Sequence, residues 1–248
     1  MTDSIGIMVA GHIAVVELQR PPHNFFDEQL LTELADAVMS FDDADEVRSI
    51  VLCADGRNFC AGADLRGMGP AGIRRVYRQA ARLFAGRKPI VAAVHGRAVG
   101  GGLGLAMAAD FRVVAPDALL TANFAQLGFH QGFALSVTLP AAVGQQQALD
   151  LLLTGRGVSG VDAVRLGLCD RLADDPRADA LAYAAEIATS GPLAVPAIRA
   201  TMRRSLVSDA VAALDLEASA QAALLNTKDF EEGIAASIGK RAANFTGS

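Results

Sequence analysis

The sequence predicts an α/β fold with a mostly parallel sheet. Strands are expected at 49–53, 90–94 and 111–115, because each is a short apolar run rich in valine, isoleucine or alanine. Helical segments lie between and after these runs, which is the order of βαβ units. A hydrophobic fraction of 52%, only 5% aromatics and 24 glycines indicate a closely packed interior, and 248 residues suffice for one sizeable core.

The N-terminal part is predicted to begin with a β-hairpin and a capped helix. Residues 5–9 and 12–18 alternate well enough for two strands joined at Ala10-Gly11. Asp27 can cap a helix that runs to about Ser40. A later helix is expected to end near Gly86, and its arginines are typical of a solvated face. They are Arg74, Arg75, Arg78 and Arg82.

The C-terminal part is predicted to be mostly helical. Helices are expected at 145–153 and 176–188, and Ser159 is a candidate cap between them. From Pro196 onward, apolar residues recur at helical spacing, which indicates a packing face. A break at Gly191-Pro192 divides the chain into a core of residues 1–190 and a helical region of residues 191–248 that is expected to form the contacts between subunits.

Composition and charge argue against several classes of function. A net charge of −5 gives no electrostatic basis for binding nucleic acid or an anionic membrane. Cys53, Cys60 and Cys169 are odd in number and scattered, so neither a disulfide framework nor a zinc site is expected. The first residues lack the basic segment of a secretory signal, which favours a cytoplasmic protein.

Two glycine-rich turns after strands are the candidate binding features, one at 56–65 and one at 95–104. Glycine lets a backbone approach a ligand closely, and the first N–H groups of a helix have no partner within the helix. The second turn fits neither a Walker loop nor a dinucleotide fingerprint. Two interpretations stay open: the turns bind a carbonyl that becomes an oxyanion, or they only pack helices on the sheet, with Asp64 as a helix cap.

Three stretches in and beside these turns form recognisable motifs: Phe59–Leu65, Lys88–Gly96 and Ala98–Gly102. Shorter motifs follow the same order along the chain: Arg20-Pro21, Leu139-Pro140, Leu153–Gly155, Glu232-Gly233, Lys240-Arg241 and Asn244-Phe245. In this combination the chain resembles the enoyl-CoA hydratase/isomerase (crotonase) superfamily. The resemblance implies a spiral of ββα units, with two roughly perpendicular sheets, and a C-terminal helical region. It also implies homotrimers or dimers of trimers, an acyl-CoA ligand in fatty-acid or acyl-CoA metabolism, no metal, and no cofactor beyond the coenzyme A of the substrate.

The resemblance also assigns roles to residues. The backbone N–H groups of Ala63 and Gly101 would form an oxyanion hole around the thioester oxygen, and Lys240 would meet the phosphates of coenzyme A. The full set of predicted substrate-binding residues is Ala61, Asp64, Leu65, Gly104, Phe124, Gln131 and Lys240.

The carboxylates that hydratases of this family use are missing. One glutamate follows the glycine triplet by two positions, where this chain has Gly104, and the other corresponds to Phe124. A further family acid corresponds to Gly132. Because acid–base catalysis typically supplies 10²–10⁴-fold, ordinary hydratase activity should be very low. We expect Gly104 to leave a space and Phe124 to form an apolar wall, so that glutamate at both positions would restore some hydration.

His130 is the candidate replacement base, with Gln131 beside it. A histidine can accept a proton near neutral pH, but in a glycine-rich loop it can equally serve only to bind the backbone. His95, before the triplet, is expected to be structural. Two hypotheses follow: an acyl-CoA enzyme that uses the oxyanion hole with His130, or an acyl-CoA binding protein without catalytic activity.

Overall fold

Two β-sheets form the framework of the chain, which the computed structural model describes at residues 4–64 and 67–248. The strands are β1 (Ile5–Ala10), β2 (Ile13–Leu18), β3 (Ser49–Ala54), β4 (Ile90–Val94), β5 (Arg97–Val99), β6 (Phe111–Val114), β7 (Leu119–Thr121), β8 (Val158–Ser159) and β9 (Arg171–Leu172). The larger sheet has the order β1-β2-β3-β4-β6-β9 and the smaller one β5-β7-β8.

The larger sheet has the predicted parallel arrangement. β1 and β2 form the predicted antiparallel hairpin, and β2, β3, β4, β6 and β9 then pair in parallel. Every residue of β3 and β4 is buried, which explains why these strands are continuous apolar runs.

Helices cover the sheets and extend through the C-terminal region. The two predicted caps are confirmed: Asp27 accepts the Leu30 N–H at 2.9 Å, and Ser159 accepts the Asp162 N–H at 3.1 Å. The helices are α1 (Glu28–Ser40), α2 (Pro70–Ala85), α3 (Gly101–Ala108), α4 (Leu135–Val143), α5 (Gln145–Thr154), α6 (Gly160–Leu166), α7 (Pro176–Ala188), α8 (Ala194–Leu224) and α9 (Lys228–Gly239), with 3₁₀ turns at Phe41–Asp43 and Ala125–Leu127.

The interpretation of Asp64 as a helix cap was wrong. The next helix, α2, starts only at Pro70, after Gly69 at the cap position. Proline suits the first turn of a helix because it lacks the N–H that would be unsatisfied there. The arginines of α2 do form a solvated, ion-paired face, as Arg75 with Glu28 and Arg82 with Asp36 illustrate.

Helix α3 joins the smaller sheet to the larger one, because β5 precedes it and β6 follows it. Its residues from Gly102 to Ala108 are all buried. Its glycines and alanines allow close packing inside the core, beside the larger Leu103, Leu105 and Met107. Its N-terminus is therefore held in a fixed place between the two sheets.

Helix α8 packs directly on the core. It contacts α2 through Arg74 and Ser219, whose Nη2 and Oγ atoms lie 3.3 Å apart, and it also packs against α4. The division at residue 190 stays a prediction. Within the described ranges, no helix is long and apolar enough to cross a bilayer.

Candidate functional site

The two glycine-rich turns lie against each other. The Cys60 N–H donates to the Arg97 carbonyl at 3.1 Å, and the Val99 N–H donates to the Cys60 carbonyl at 3.0 Å. Phe26 joins the first turn from the other side, because its N–H donates to the Gly62 carbonyl at 3.0 Å. These backbone bonds hold the two turns together.

Each turn contains a glycine in a conformation that other residues rarely adopt. Gly62 has φ +107°, and Gly100 has φ +54° with ψ −116°. Each immediately precedes one of the two residues assigned to the oxyanion hole, Ala63 and Gly101. The two glycines therefore set the orientation of the peptide N–H groups that follow them.

The nitrogens of Ala63 and Gly101 lie near each other. A Cβ atom placed on Gly62 would lie 3.9 Å from the Gly101 nitrogen, and one placed on Gly101 would lie 3.9 Å from the Ala63 nitrogen. Across residues 4–64 and 67–248, neither N–H has a hydrogen-bond acceptor. Gly101 also starts α3, whose N-terminus carries a partial positive charge, so two donors and a helix dipole coincide here.

The expected space beside Gly104 is filled, which corrects the sequence-based expectation. A Cβ atom on Gly104 would lie 2.4 Å from the Cβ of Phe133 and 2.9 Å from its Cγ. Phe133 is fully buried and packs edge-on against Phe26, with ring centroids 5.4 Å apart. Glycine is required at 104 because Phe133 occupies the adjacent volume.

Aromatic groups also occupy the other two positions where the family has acids. Phe124 is buried, and its Cζ would lie 3.5 Å from a Cβ on Gly100, so its ring adjoins the second turn. At Gly132, a Cβ atom would lie 1.7 Å from the hydroxyl of Tyr77. None of the three positions carries a carboxylate, and at Gly104 and Gly132 the present neighbours leave no room for one.

His130 makes the backbone bond that one interpretation predicted. Its Nδ1 lies 2.7 Å from the Gln131 carbonyl oxygen. Because a carbonyl oxygen only accepts, Nδ1 carries the proton, and the neutral ring has its lone pair on Nε2. The same bond thus fixes a tautomer that can accept a proton. Gln131 donates through Nε2 to the Ser136 hydroxyl at 3.1 Å.

Three buried polar side chains hold the loop 130–136. None of them was among the residues predicted from the sequence. We call Tyr77, Glu217 and Gln221 the polar clamp. The Tyr77 hydroxyl donates to Gln221 Oε1 at 2.8 Å, and Gln221 Nε2 donates to the His130 carbonyl at 2.9 Å. Burial raises the pKa of the Tyr77 phenol, so this group stays protonated and keeps donating.

Glu217 caps α4 from a distant part of the chain. Its carboxylate accepts the Ala134 N–H at 2.7 Å and the Ser136 N–H at 3.0 Å, while only 1% of the residue is exposed. Burial raises the pKa of Glu217, and these bonds act in the opposite direction. Glu217 and Gln221 lie four residues apart within a buried stripe of α8, a polar interruption that could have marked them in the sequence.

The remaining predicted site residues lie at different distances from the paired turns. Ala61 belongs to the first turn and donates its N–H to the His23 carbonyl at 2.9 Å, and the Asp64 N–H donates to the Phe26 carbonyl at 2.8 Å. Leu65 lies outside the described residues. Lys240 is exposed at the C-terminal end of α9, so its predicted role stays untested.

Other chemically active side chains have structural surroundings. His95 Nε2 lies 3.1 Å from the Gly56 carbonyl oxygen, in keeping with a structural role. Burial raises the pKa of the Cys60 and Cys169 thiols to about 12, which keeps them protonated. Among the residues described, no group of three or more metal-ligating side chains comes together.

Comparison with known proteins identifies the family. The model of the family described as enoyl-CoA hydratase/isomerase matches residues 9–248. A probable enoyl-CoA hydratase of Bacillus subtilis is 34% identical over 99% of both chains, and one of Mycobacterium tuberculosis is 37% identical over 87% of this chain and 86% of its own. An enoyl-CoA hydratase/isomerase structure from Pseudoalteromonas atlantica has a TM-score of 0.90 at 30% identity, covering 98% of this chain and 100% of that one. With the fold, these matches show that the chain belongs to the enoyl-CoA hydratase/isomerase, or crotonase, superfamily.

Proposed function

We propose that this protein binds an acyl-CoA thioester at the paired turns, with the Ala63 and Gly101 N–H groups as an oxyanion hole. The observation that carries the proposal is the proximity of these two nitrogens, neither of which has an acceptor among the described residues. Family membership supports a thioester as the ligand. Coenzyme A is part of the substrate, and no other cofactor is required.

The proposed chemistry is formation of an enolate. Removal of a proton from the α-carbon leaves an electron pair that delocalises onto the thioester oxygen, where the two N–H groups stabilise the negative charge. Preorganised donors of this kind are each worth roughly 2.7–4 kcal/mol in the transition state. His130 Nε2 is the proposed acceptor of the proton, because the bond from Nδ1 to Gln131 leaves its lone pair available.

Hydration of crotonyl-CoA is expected to be negligible. Addition of water needs a base for the water and an acid for the α-carbon, and the positions of the family's two glutamates are Gly104 and Phe124 here. Phe133 and Phe124 give these positions apolar surroundings. An ordered water needs two or more polar partners, which aromatic rings do not supply.

A second candidate is acyl-CoA binding without turnover. It is favoured by the same aromatic filling of the three acid positions at Gly104, Phe124 and Gly132, because a protein that only recognises the thioester needs no acid or base. The two candidates share the binding site and differ in what His130 does.

Proton exchange in heavy water separates these candidates. Butyryl-CoA is incubated with the protein in D₂O, and deuterium at the α-carbon is measured by mass spectrometry while binding is measured by calorimetry. The proposed enzyme should exchange α-protons, and His130→Gln should slow the exchange by about 10²–10⁴-fold while binding is kept. Binding without exchange supports the second candidate, absence of binding refutes both, and brisk hydration of crotonyl-CoA contradicts the expected loss of hydratase chemistry.

We also propose that Lys240 contacts the phosphates of coenzyme A, in this chain or across a subunit boundary. It is exposed at one end of α9, and Lys228, also exposed, lies at the other end of the same helix and provides a matched control. Lys240→Ala should weaken CoA binding and Lys228→Ala should not. Equal affinities of the two variants would remove Lys240 from the site.

We propose a homotrimer or a dimer of trimers as the assembly. Large apolar side chains at and near the start of α8 are exposed in the single chain, including Leu193 at 89%, Ile198 at 63% and Met202 at 78%. Such clustered apolar exposure is typical of a surface that is covered in an assembly. Sedimentation equilibrium tests this directly, and a monomer at micromolar concentration would contradict it.

A further inference from the structure

The backbone of the loop before α4 adopts an unusual conformation. Phe133 has φ +60° and Ala134 has φ +59°, so two consecutive residues other than glycine lie in the left-handed region. A side chain makes this region unfavourable for each of them, and two in succession persist only where the surroundings impose it. What this conformation achieves is the placement of Phe133 against Gly104 and Phe26.

Glu217 supplies bonds that impose this conformation. Its carboxylate accepts the N–H of Ala134 itself and that of Ser136, two residues further on. Gln221, one helical turn along α8, holds the start of the same loop through the His130 carbonyl. The loop is therefore attached at both ends to one face of α8, and Phe133 lies between the two attachments.

Phe133 lies close to the proposed oxyanion hole. Gly104 is three residues beyond Gly101 in α3, about 4.5 Å along the axis at the usual rise per residue. Phe26 adjoins both Phe133 and Gly101, because its ring packs against that of Phe133 and its Cζ lies 2.7 Å from where a Cβ on Gly101 would be. An acyl chain that ran from a thioester at Gly101 along this side of α3 would therefore meet Phe133 after the length of a short chain.

We propose that Phe133, held in place by Glu217 as a positioning residue, limits the ligand to short acyl groups. This inference rests on the proposed binding of acyl-CoA thioesters at the paired turns. Phe133 is the specificity-determining residue, because its fully buried side chain occupies the volume that a longer chain would enter. Glu217 acts through it, by fixing the loop from which Phe133 projects.

The test compares affinities for butyryl-CoA and octanoyl-CoA by calorimetry. Wild type should gain nothing from the longer chain. Phe133→Ala and the milder Phe133→Leu should both shift binding toward octanoyl-CoA. For the alanine variant the ratio of octanoyl-CoA to butyryl-CoA affinity should rise about tenfold or more, since each methylene that enters an apolar cavity gives roughly fourfold tighter binding. The matched control is Phe84→Leu, at another fully buried phenylalanine, in α2, and it should keep the wild-type ratio.

Glu217→Gln should also raise the ratio of octanoyl-CoA to butyryl-CoA affinity, but less than the Phe133 variants do. The amide keeps one acceptor and places a donor against the second N–H. Asp215→Asn, at an exposed position of α8, is its control. A merely structural role of Glu217 would lower both affinities equally and would refute its assignment as a positioning residue.

The outcomes also separate this inference from the proposed function. If wild type binds butyryl-CoA but folded Phe133 variants keep its octanoyl-to-butyryl ratio, the role of Phe133 is refuted and the binding site stands. If wild type binds neither thioester, the proposed function itself fails. Far-UV circular dichroism establishes folding, and Phe133→Leu decides the matter if the alanine variant does not fold.

Discussion

Substitution of Gly104 by alanine should destabilise the protein, although alanine is the better helix former. The added Cβ would lie 2.4 Å from the Cβ of Phe133, far inside normal contact, and 3.1 Å from the Phe133 carbonyl oxygen. Overpacking of this kind typically costs about 1–3 kcal/mol, and the gain in helix propensity returns up to about 1 kcal/mol. The expected net loss of about 1–2 kcal/mol corresponds to a fall in Tm of roughly 2–8 °C for a chain of this size.

A double-mutant cycle identifies the cause. Phe133→Gly removes the Cβ that Gly104→Ala would strike, and glycine also suits the left-handed backbone at 133. Urea unfolding followed by circular dichroism should therefore show that Gly104→Ala costs at least about 1 kcal/mol less in the Phe133→Gly background than alone. Equal costs in both backgrounds, or a Gly104→Ala variant as stable as wild type, would refute the packing argument.

Two further predictions concern charged groups. Asp110 is nearly buried between Arg199 and Arg203. The substitution Asp110→Asn should lower the free energy of unfolding by about 3–5 kcal/mol, because two guanidinium groups lose their counterion. A change of less than about 0.5 kcal/mol in urea unfolding would contradict this. The Arg241 side chain, aided by the Asn244 N–H, lowers the pKa of Glu232 from its ordinary value of 4.5 to about 2. Docking of the C-terminal tail should therefore persist above pH 4.5 and weaken as the pH falls toward 2. Protection of residues 241–248 against hydrogen exchange, relative to the unstructured rate at each pH, should fall across that range, and unchanged protection would show that the pair does not hold the tail.

The main elements could be predicted because each has a strong local signal. β3 and β4 are continuous apolar runs, and the caps Asp27 and Ser159 satisfy helix N–H groups close in sequence. The strands of the smaller sheet could not be predicted, because they are only two or three residues long and show no alternation. The start of α4 was equally obscure, since its cap is a carboxylate 83 residues away from Ala134.

The candidate site likewise has one part that could be predicted from the sequence and one part that could not. The paired turns could be located from sequence because only glycine permits the backbone of Gly62 and Gly100, and the pattern records that constraint. The polar clamp depends on contacts between distant parts of the chain, such as the 144 residues that separate Tyr77 from Gln221. No local pattern reports such a contact, so the volume beside Gly104 was expected to be empty when it is full.

The filled volume beside Gly104 changes what would be needed to introduce hydratase chemistry. An empty space at Gly104 would accept a glutamate directly, and the pair Gly104→Glu and Phe124→Glu would then restore some hydration. With Phe133 in contact, the new side chain would collide at its first carbon, and the carboxylates would be buried among aromatic rings without partners. Phe133 must therefore be replaced as well, and the space beside Gly104 would have to be opened in the loop that Glu217 fixes through Ala134 and Ser136.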